Sequence, residues 1–269
     1  MLEFFTAWWE YGFMKNAFAA VLIITPLFGL LGTMIVNNKM AFFSDALGHS
    51  ALTGIAIGVV LGISDSLSML MFAVVFALLL NMIGRKSTSS TDTIISVFSS
   101  CSIAIGLAVL SKGGNFSKYS SLLVGDILSI TTREIISLLV IFAVTFLFWF
   151  AAFNKLNAVS LNRTLAKSRR INVRLIENLF AVFIALIVTL SIKWVGILII
   201  NALLILPAAG SRNIAENMRE YHFFSVLFSM FSGLLGLIIS YFTNVATGPM
   251  IVIIASVIYF ATYFYGKKL

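Results

Sequence analysis

Two side chains able to do chemistry stand four residues apart in the stretch AFFSDALGHSALTGIAIG: Asp45 and His49. At helical spacing they share one face, a turn apart, so a carboxylate oxygen and an imidazole nitrogen can reach the same divalent ion. Two ligands make a weak site. In a twofold dimer, two such helices facing each other would present two Asp oxygens and two His nitrogens, a tetrahedral set suited to zinc that can open between subunits. A plainer reading has Ser44 capping the helix, Asp45 in the first turn where the dipole favours negative charge, and His49 hydrogen-bonded within a bundle. Gly48, Ser50, Ala51, Gly54, Ala56 and Gly58 follow at spacings that let helix backbones come close, as at a packed interface, a pore lining or simply a tight contact.

The elements that position this pair are membrane helices. Of 269 residues, 60% are hydrophobic and 10% are charged, whereas a soluble domain carries about 25% charged residues. A soluble enzyme, a nucleic-acid-binding module and a disordered chain are poor fits. Apolar runs near the ~20 residues of a spanning helix lie between Lys15 and Lys39, Asp65 and Arg85, Asp92 and Lys112, Glu134 and Lys155, and Lys193 and Arg212. Two further spans, near 46–63 and 175–192, carry ionisable residues, Asp45 and His49 in or just before one and Glu177 in the other. The run from His222 to Lys267 is long enough for two helices, with turn residues Thr243-Asn244 and Gly248-Pro249 between them. The expectation is an all-α integral membrane bundle of about nine transmembrane helices, within a range of eight to ten, forming a single transmembrane domain over 1–269. Residues 120–130, too short to cross, and the run 194–210, which Asn201 and Pro207 could interrupt, are the candidates for re-entrant segments.

Thirteen of the eighteen basic residues fall on one side of this arrangement: Lys39, Arg85, Lys86, six in the cluster at 155–174, Arg212, Arg219, Lys267 and Lys268. The net charge of +8 therefore reports topology, with that side cytoplasmic, the amino terminus external and the carboxyl terminus internal. Residues 1–15 carry two glutamates and no basic patch, so they are expected to stay on the mature chain. Phe4, Phe5, Trp8, Trp9, Tyr11 and Phe13 make them an interfacial lead-in. Cys101, the one cysteine, has no partner for an intramolecular disulfide and is expected in core packing. No glycine-rich phosphate loop ending in Lys-Ser or Lys-Thr is present, so any ATP hydrolysis belongs to another chain. In the basic loop 154–174, Ser160-Leu161-Asn162 offers a helix start, with Leu161, Leu165 and Ala166 on one side of a short helix able to dock into a cytoplasmic partner. Asn201 and Pro207 crowd the inner end of another span, either as a kinked gate or as a tolerated proline.

GLLGTMIVNNKMAFFSDALGHSALTGIAIG, residues 29–58, resembles the hallmark segment of the permease subunits of ABC importers for zinc, manganese and iron. RRINVRLIENLF, IKWVGILIINALLILPAAGSRNIA and SYFTNVATGPMIVIIA are similar to later segments of that family, in the same order, and the likeness runs from about residue 16 to 262. The resemblance implies the permease fold of that family and a homodimer forming the translocation path in a bacterial inner membrane. It also implies a separate cytoplasmic ATPase, an extracellular metal-binding protein, and no permanently bound cofactor. Asp45 and His49 match the family's membrane-embedded Asp and His, proposed to meet the passing ion. The segment around 158–170 matches its coupling helix, giving Leu161, Asn162, Leu165, Ala166, Arg169 and Arg170 as ATPase contacts. Ala51-Leu52-Thr53-Gly54 stands where the manganese branch tends to have Val-Leu-Pro-Gly, which favours zinc over manganese or iron. Ser168-Arg169-Arg170 replaces the Ala-Leu-Gly that relatives often carry before Asn172-Val173.

Two other classes compete. An ion-coupled secondary metal carrier would be expected to show a relay of buried acids and an internal repeat, and neither is clear in the sequence. An intramembrane metalloenzyme would want three protein ligands for zinc, and only one other histidine, His222, exists.

Overall fold

Helix boundaries fall where charges, glycines and asparagines interrupt the apolar runs. The computed structural model describes residues 11–84, 90–112, 119, 122, 125 and 127–266. Among them are ten α-helices: α1 (Gly12–Asn37), α2 (Ala41–Leu61), α3 (Asp65–Gly84), α4 (Thr91–Lys112), α5 (Thr132–Leu161), α6 (Arg163–Ser168), α7 (Val173–Val195), α8 (Ile197–Arg212), α9 (Met218–Thr243) and α10 (Thr247–Gly266). A 3-10 turn covers Ile127–Ser129. Eight of these described helices are long and apolar enough to cross a membrane, and α8 is a shorter ninth. The break between α9 and α10 is the one expected, with Asn244 closing α9 in the left-handed conformation. Of the aromatic lead-in and the basic residues, positions 1–10, Arg85, Lys86, Lys267 and Lys268 lie outside the described residues, as does much of 120–130.

The chain forms two compact units, one made of residues 1–36, 124–149 and 194–269, the other of 37–123 and 150–193. In the first, α1 and α9 run antiparallel with their backbones close together. Ser225 and Ser229 of α9 donate hydroxyl hydrogen bonds to the carbonyls of Gly29 (2.6 Å) and Thr25 (2.7 Å). A Cβ built on Gly233 would collide with the Thr25 side chain, and one on Gly32 would collide with the Leu204 carbonyl oxygen of α8. Small residues and hydroxyl-to-carbonyl bonds hold these helices because apolar burial alone does not drive helices together in lipid.

The direction of α8 follows from contacts within this unit. At one end, the Asn16 amide donates to the Ile130 carbonyl, and the Trp194 indole donates to Glu134, whose other oxygen accepts from Thr131. At the other end, the Tyr221 hydroxyl reaches the Thr33 carbonyl, and Asn213, just past α8, bonds Thr262 near the end of α10. The sixteen residues of α8 rise about 24 Å, short of the ~30 Å hydrocarbon core, yet they carry the chain from the first end to the second. Its break is at Gly196, where φ is 85°, and the helix runs on through Asn201 and Pro207, so of the two alternatives the proline is the tolerated one. Pro207 has no N–H to donate to the preceding turn, a loss one position can bear in a helix packed on its neighbours.

In the second unit α2 is clasped by α3 and α4. Ser68 of α3 donates to the Gly54 carbonyl (2.5 Å), and a Cβ on Gly54 would lie 2.7 Å from the Met69 backbone. Thr53 donates its hydroxyl to the Ser102 carbonyl of α4, and the Ser102 hydroxyl bonds back to Thr53 at 2.9 Å. Gly106 completes the contact, with room only for hydrogen facing Thr53. Asp65, opening α3, accepts from the Tyr119 hydroxyl at 2.8 Å. Cys101, expected in core packing, is exposed, because the buried stripe of α4 runs through Ser102 and Gly106 instead.

These close approaches give a first prediction. Gly32→Ala forces its methyl against a helix backbone and should cost about 1 to 3 kcal/mol of stability, whereas Gly12→Ala, with nothing within 4 Å, should be neutral. Thermal unfolding of the detergent-purified variants checks the difference; equal midpoints would contradict this packing.

Candidate functional site

Lys39, with φ of 57°, turns the chain out of α1 and into α2. Helix α2 begins at Ala41 with Met40 at its cap position and no side-chain cap. Ser44 is therefore not the cap: its hydroxyl donates to the Ala41 carbonyl inside the first turn at 2.9 Å. Asp45 lies beyond that turn, where the helix dipole has largely faded.

His49 Nε2 stands 3.6 Å from Asp45 Oδ1. Two donors that each lie ~2.1 Å from one tetrahedral ion stand about 3.4 Å apart, so the pair already has ion-sharing spacing. Around it Ser44, Ala46, Leu47, Gly48, Ser50 and Ala51 are buried, while the Asp45 and His49 side chains are 46% and 35% exposed. With Phe42, which is exposed as well, they form one open stripe at three- and four-residue spacing on the first half of a helix whose other residues from Phe43 to Gly58 are almost all buried. Among the described residues no three His, Cys, Asp or Glu side chains gather. His222 belongs to the other unit, its ring edge-on to Trp149 at 5.6 Å between centroids.

Thr53, the residue that set the Ala-Leu-Thr-Gly segment apart, spends its hydroxyl on α4. Its role is to fix α2 against α4, so it bears on the site through packing.

The polar stretch 154–174 is more ordered than a loop. Helix α5 continues to Leu161, and Asn162 then caps α6, its side-chain oxygen accepting from the Thr164 and Leu165 amides. Leu161 and Leu165 are exposed, as are Asn162, Arg169 and Arg170. Ala166 does not share that side: it is fully buried against Val159 and Val173, a small core of its own extended by Ala158, Ile171 and Ile176. An alanine there lets the short helix sit close on the ends of α5 and α7. Asn201 is half-buried and Pro207 buried, on a helix that runs without interruption.

Sequence reasoning missed Arg163, which pairs with Glu177 at 2.8 Å. Glu177 stood out as an acid in an apolar run; its partner, fourteen residues earlier, emerges only when α6 folds back on α7.

A family model described as the ABC 3 transport family matches residues 10–266, and the chain belongs to that family. It is 30% identical over 235 residues to the high-affinity zinc uptake system membrane protein ZnuB of Buchnera aphidicola subsp. Schizaphis graminum, covering 86% of this chain and 89% of that protein. It is 25% identical over 260 residues to the manganese transport system membrane protein MntC of Listeria innocua, covering 96% and 92%. Among solved structures, PsaBC from Streptococcus pneumoniae in complex with Fab superposes with a TM-score of 0.85 at 26% identity, over 98% of this chain and 95% of that one.

Because a single side chain caps α6, Asn162→Ala should loosen it by about 1 kcal/mol. Hydrogen exchange at the Thr164 and Leu165 amides should quicken, while the middle of α9 stays protected; unchanged exchange at both amides would contradict the cap.

Proposed function

Starting from that family membership, we propose that this chain is the permease subunit of an ATP-driven importer of divalent metal, with zinc the favoured cargo. The observation that carries the reading is the open stripe of α2. An ionised side chain facing hydrocarbon costs ~2.5 to 3.5 kcal/mol at the bilayer centre, so a carboxylate and an imidazole held half-open on a buried helix call for protein or a water-filled path beside them. A second copy, related by a twofold axis, supplies both. Two Asp45 oxygens and two His49 nitrogens then surround an ion that is cargo, bound in transit and released when the copies part.

Zinc is favoured by the mixed oxygen and nitrogen donors at near-tetrahedral spacing. Manganese is the second reading, supported by relatives named for manganese transport that match the chain as extensively as those named for zinc. Thr53 supports neither, since it is engaged in packing.

The chain is a transport subunit rather than an enzyme. Its energy comes from a cytoplasmic ATPase chain that meets the exposed Leu161, Asn162, Leu165, Arg169 and Arg170 around α6, and an extracellular metal-binding protein delivers the ion. The basic cluster at 155–174 supports a cytoplasmic position for α6 in a bacterial inner membrane. With the five described helices before it all crossing, the amino terminus is proposed to be outside. With α8 crossing, the carboxyl terminus is inside. Asn201 and Pro207 are proposed as gate residues on α8.

Asp45→Ala and His49→Ala should each abolish ATPase-dependent zinc accumulation, read by elemental analysis in uptake-deficient cells, with the protein still folded and dimeric. Normal accumulation in a well-expressed variant removes the ligand role, and accumulation that ignores the ATPase points to a secondary carrier. Arg169→Glu combined with Arg170→Glu should reduce copurification of the ATPase; full recovery would take these arginines off the docking surface.

A further inference from the structure

A cavity of about 780 Å³ lies wholly within the second unit. Met40 at the cap of α2, Phe43 within it, Leu80 and Asn81 of α3, and Ile95 of α4 line one part of its wall; Arg163 and Glu177 line another. The latter part is the elbow of α5, α6 and α7. Its own small core, Val159, Ala166 and Val173, holds α6 to the two long helices. A self-cored elbow beside an open space can shift without first breaking a packed interface.

Two polar links span from the elbow outward. The Arg163 guanidinium, largely exposed, pairs at 2.8 Å with the Glu177 carboxylate, of which only 17% is exposed. Directly behind it, the Asn81 amide of α3 donates to the Glu177 carbonyl and to the Asn178 side-chain oxygen, both at 3.2 Å. Helix α3 in turn is locked to α2 where Gly54 and Gly58 meet Met69 and Ser68. Interiors packed this closely transmit displacement rather than absorb it.

We propose that Arg163, Glu177 and Asn81 form a strut that carries movement of α6 through α7 to α3, and so to the helix bearing Asp45 and His49. In this proposal they are positioning residues, distinct from the ion ligands and the docking residues named above, and they set how far a displacement of α6 moves α2. This rests on the importer reading, in which the ATPase acts on α6. A connected path becomes a coupling path only when breaking a link changes the coupling itself.

The experiment uses the full complex of permease, ATPase and binding protein in proteoliposomes, with zinc and manganese as probes, counting ions moved per ATP hydrolysed. Arg163→Gln and Glu177→Gln should each lower that ratio about fivefold or more, while the ATP hydrolysis rate and ATPase copurification stay near wild type. Arg163→Glu with Glu177→Arg should restore most of the ratio, and Asn81→Leu should lower it with the ion pair intact. Arg163 is the safeguard against misfolding, since it is mostly exposed. An unchanged ratio in the single variants overturns the strut. So does loss of copurification alongside uptake, because the pair would then merely maintain the docking surface. A wild-type complex that moves no ion with ATP would instead overturn the importer reading, and the strut with it.

Discussion

The cost of leaving an ionisable pair uncovered in a bilayer governs this molecule. Asp45 and His49 occupy the open stripe of a helix whose other sides are closed by α3 and α4. Each contact that buries the rest of α2 also fixes the direction in which the pair faces. Gly54 and Gly58 seat α3, and Thr53 with Gly106 seats α4. Without those seats the helix could rotate to hide the pair; with them, the pair stays on the open stripe. On the proposed reading, this opening is what a second copy would close.

Both units are assembled by one device. Where hydrophobic burial gives no net drive, helices are held by small residues that admit a neighbouring backbone and by hydroxyls that bond its carbonyls. Ser225 and Ser229 do this between α9 and α1, and Ser68 and Thr53 do it from α3 to α2 and from α2 to α4. Such interfaces are rigid at short range. The elbow around α6 is different in kind, with its own small apolar core, an ion pair and a cavity beside it.

Much of this was legible in the sequence, because in a membrane chain the charges punctuate the helices. The runs bounded by Lys15 and Lys39 or by Asp92 and Lys112 became helices almost to the residue, and Asn244 closed α9 as its turn chemistry required. The spacing of Asp45 and His49 put both on one face of a helix, and there the two side chains do meet. What was not visible depended on rotation about helix axes, which apolar composition does not encode when nearly every position is apolar. Cys101 was expected inside and lies outside; Ala166 was expected on the docking side and lies beneath it. Ser44 matched the pattern of a cap, but the helix began at Ala41, one turn early, and turned its hydroxyl back on its own first turn. The Arg163–Glu177 pair needed the chain reversal between α6 and α7 to exist at all.

On the proposed reading, the open stripe of α2 faces its twin across a shared ion path. The most direct test is crosslinking in the native membrane of a His49→Cys variant in a Cys101→Ser background, so that position 49 carries the chain's one thiol. A short bifunctional thiol reagent should convert most of the protein to a covalent dimer, whereas the same thiol at Val257, which is exposed on α10, should not crosslink. A thiol at position 49 that reacts readily with a monofunctional reagent yet yields no dimer would contradict the shared path.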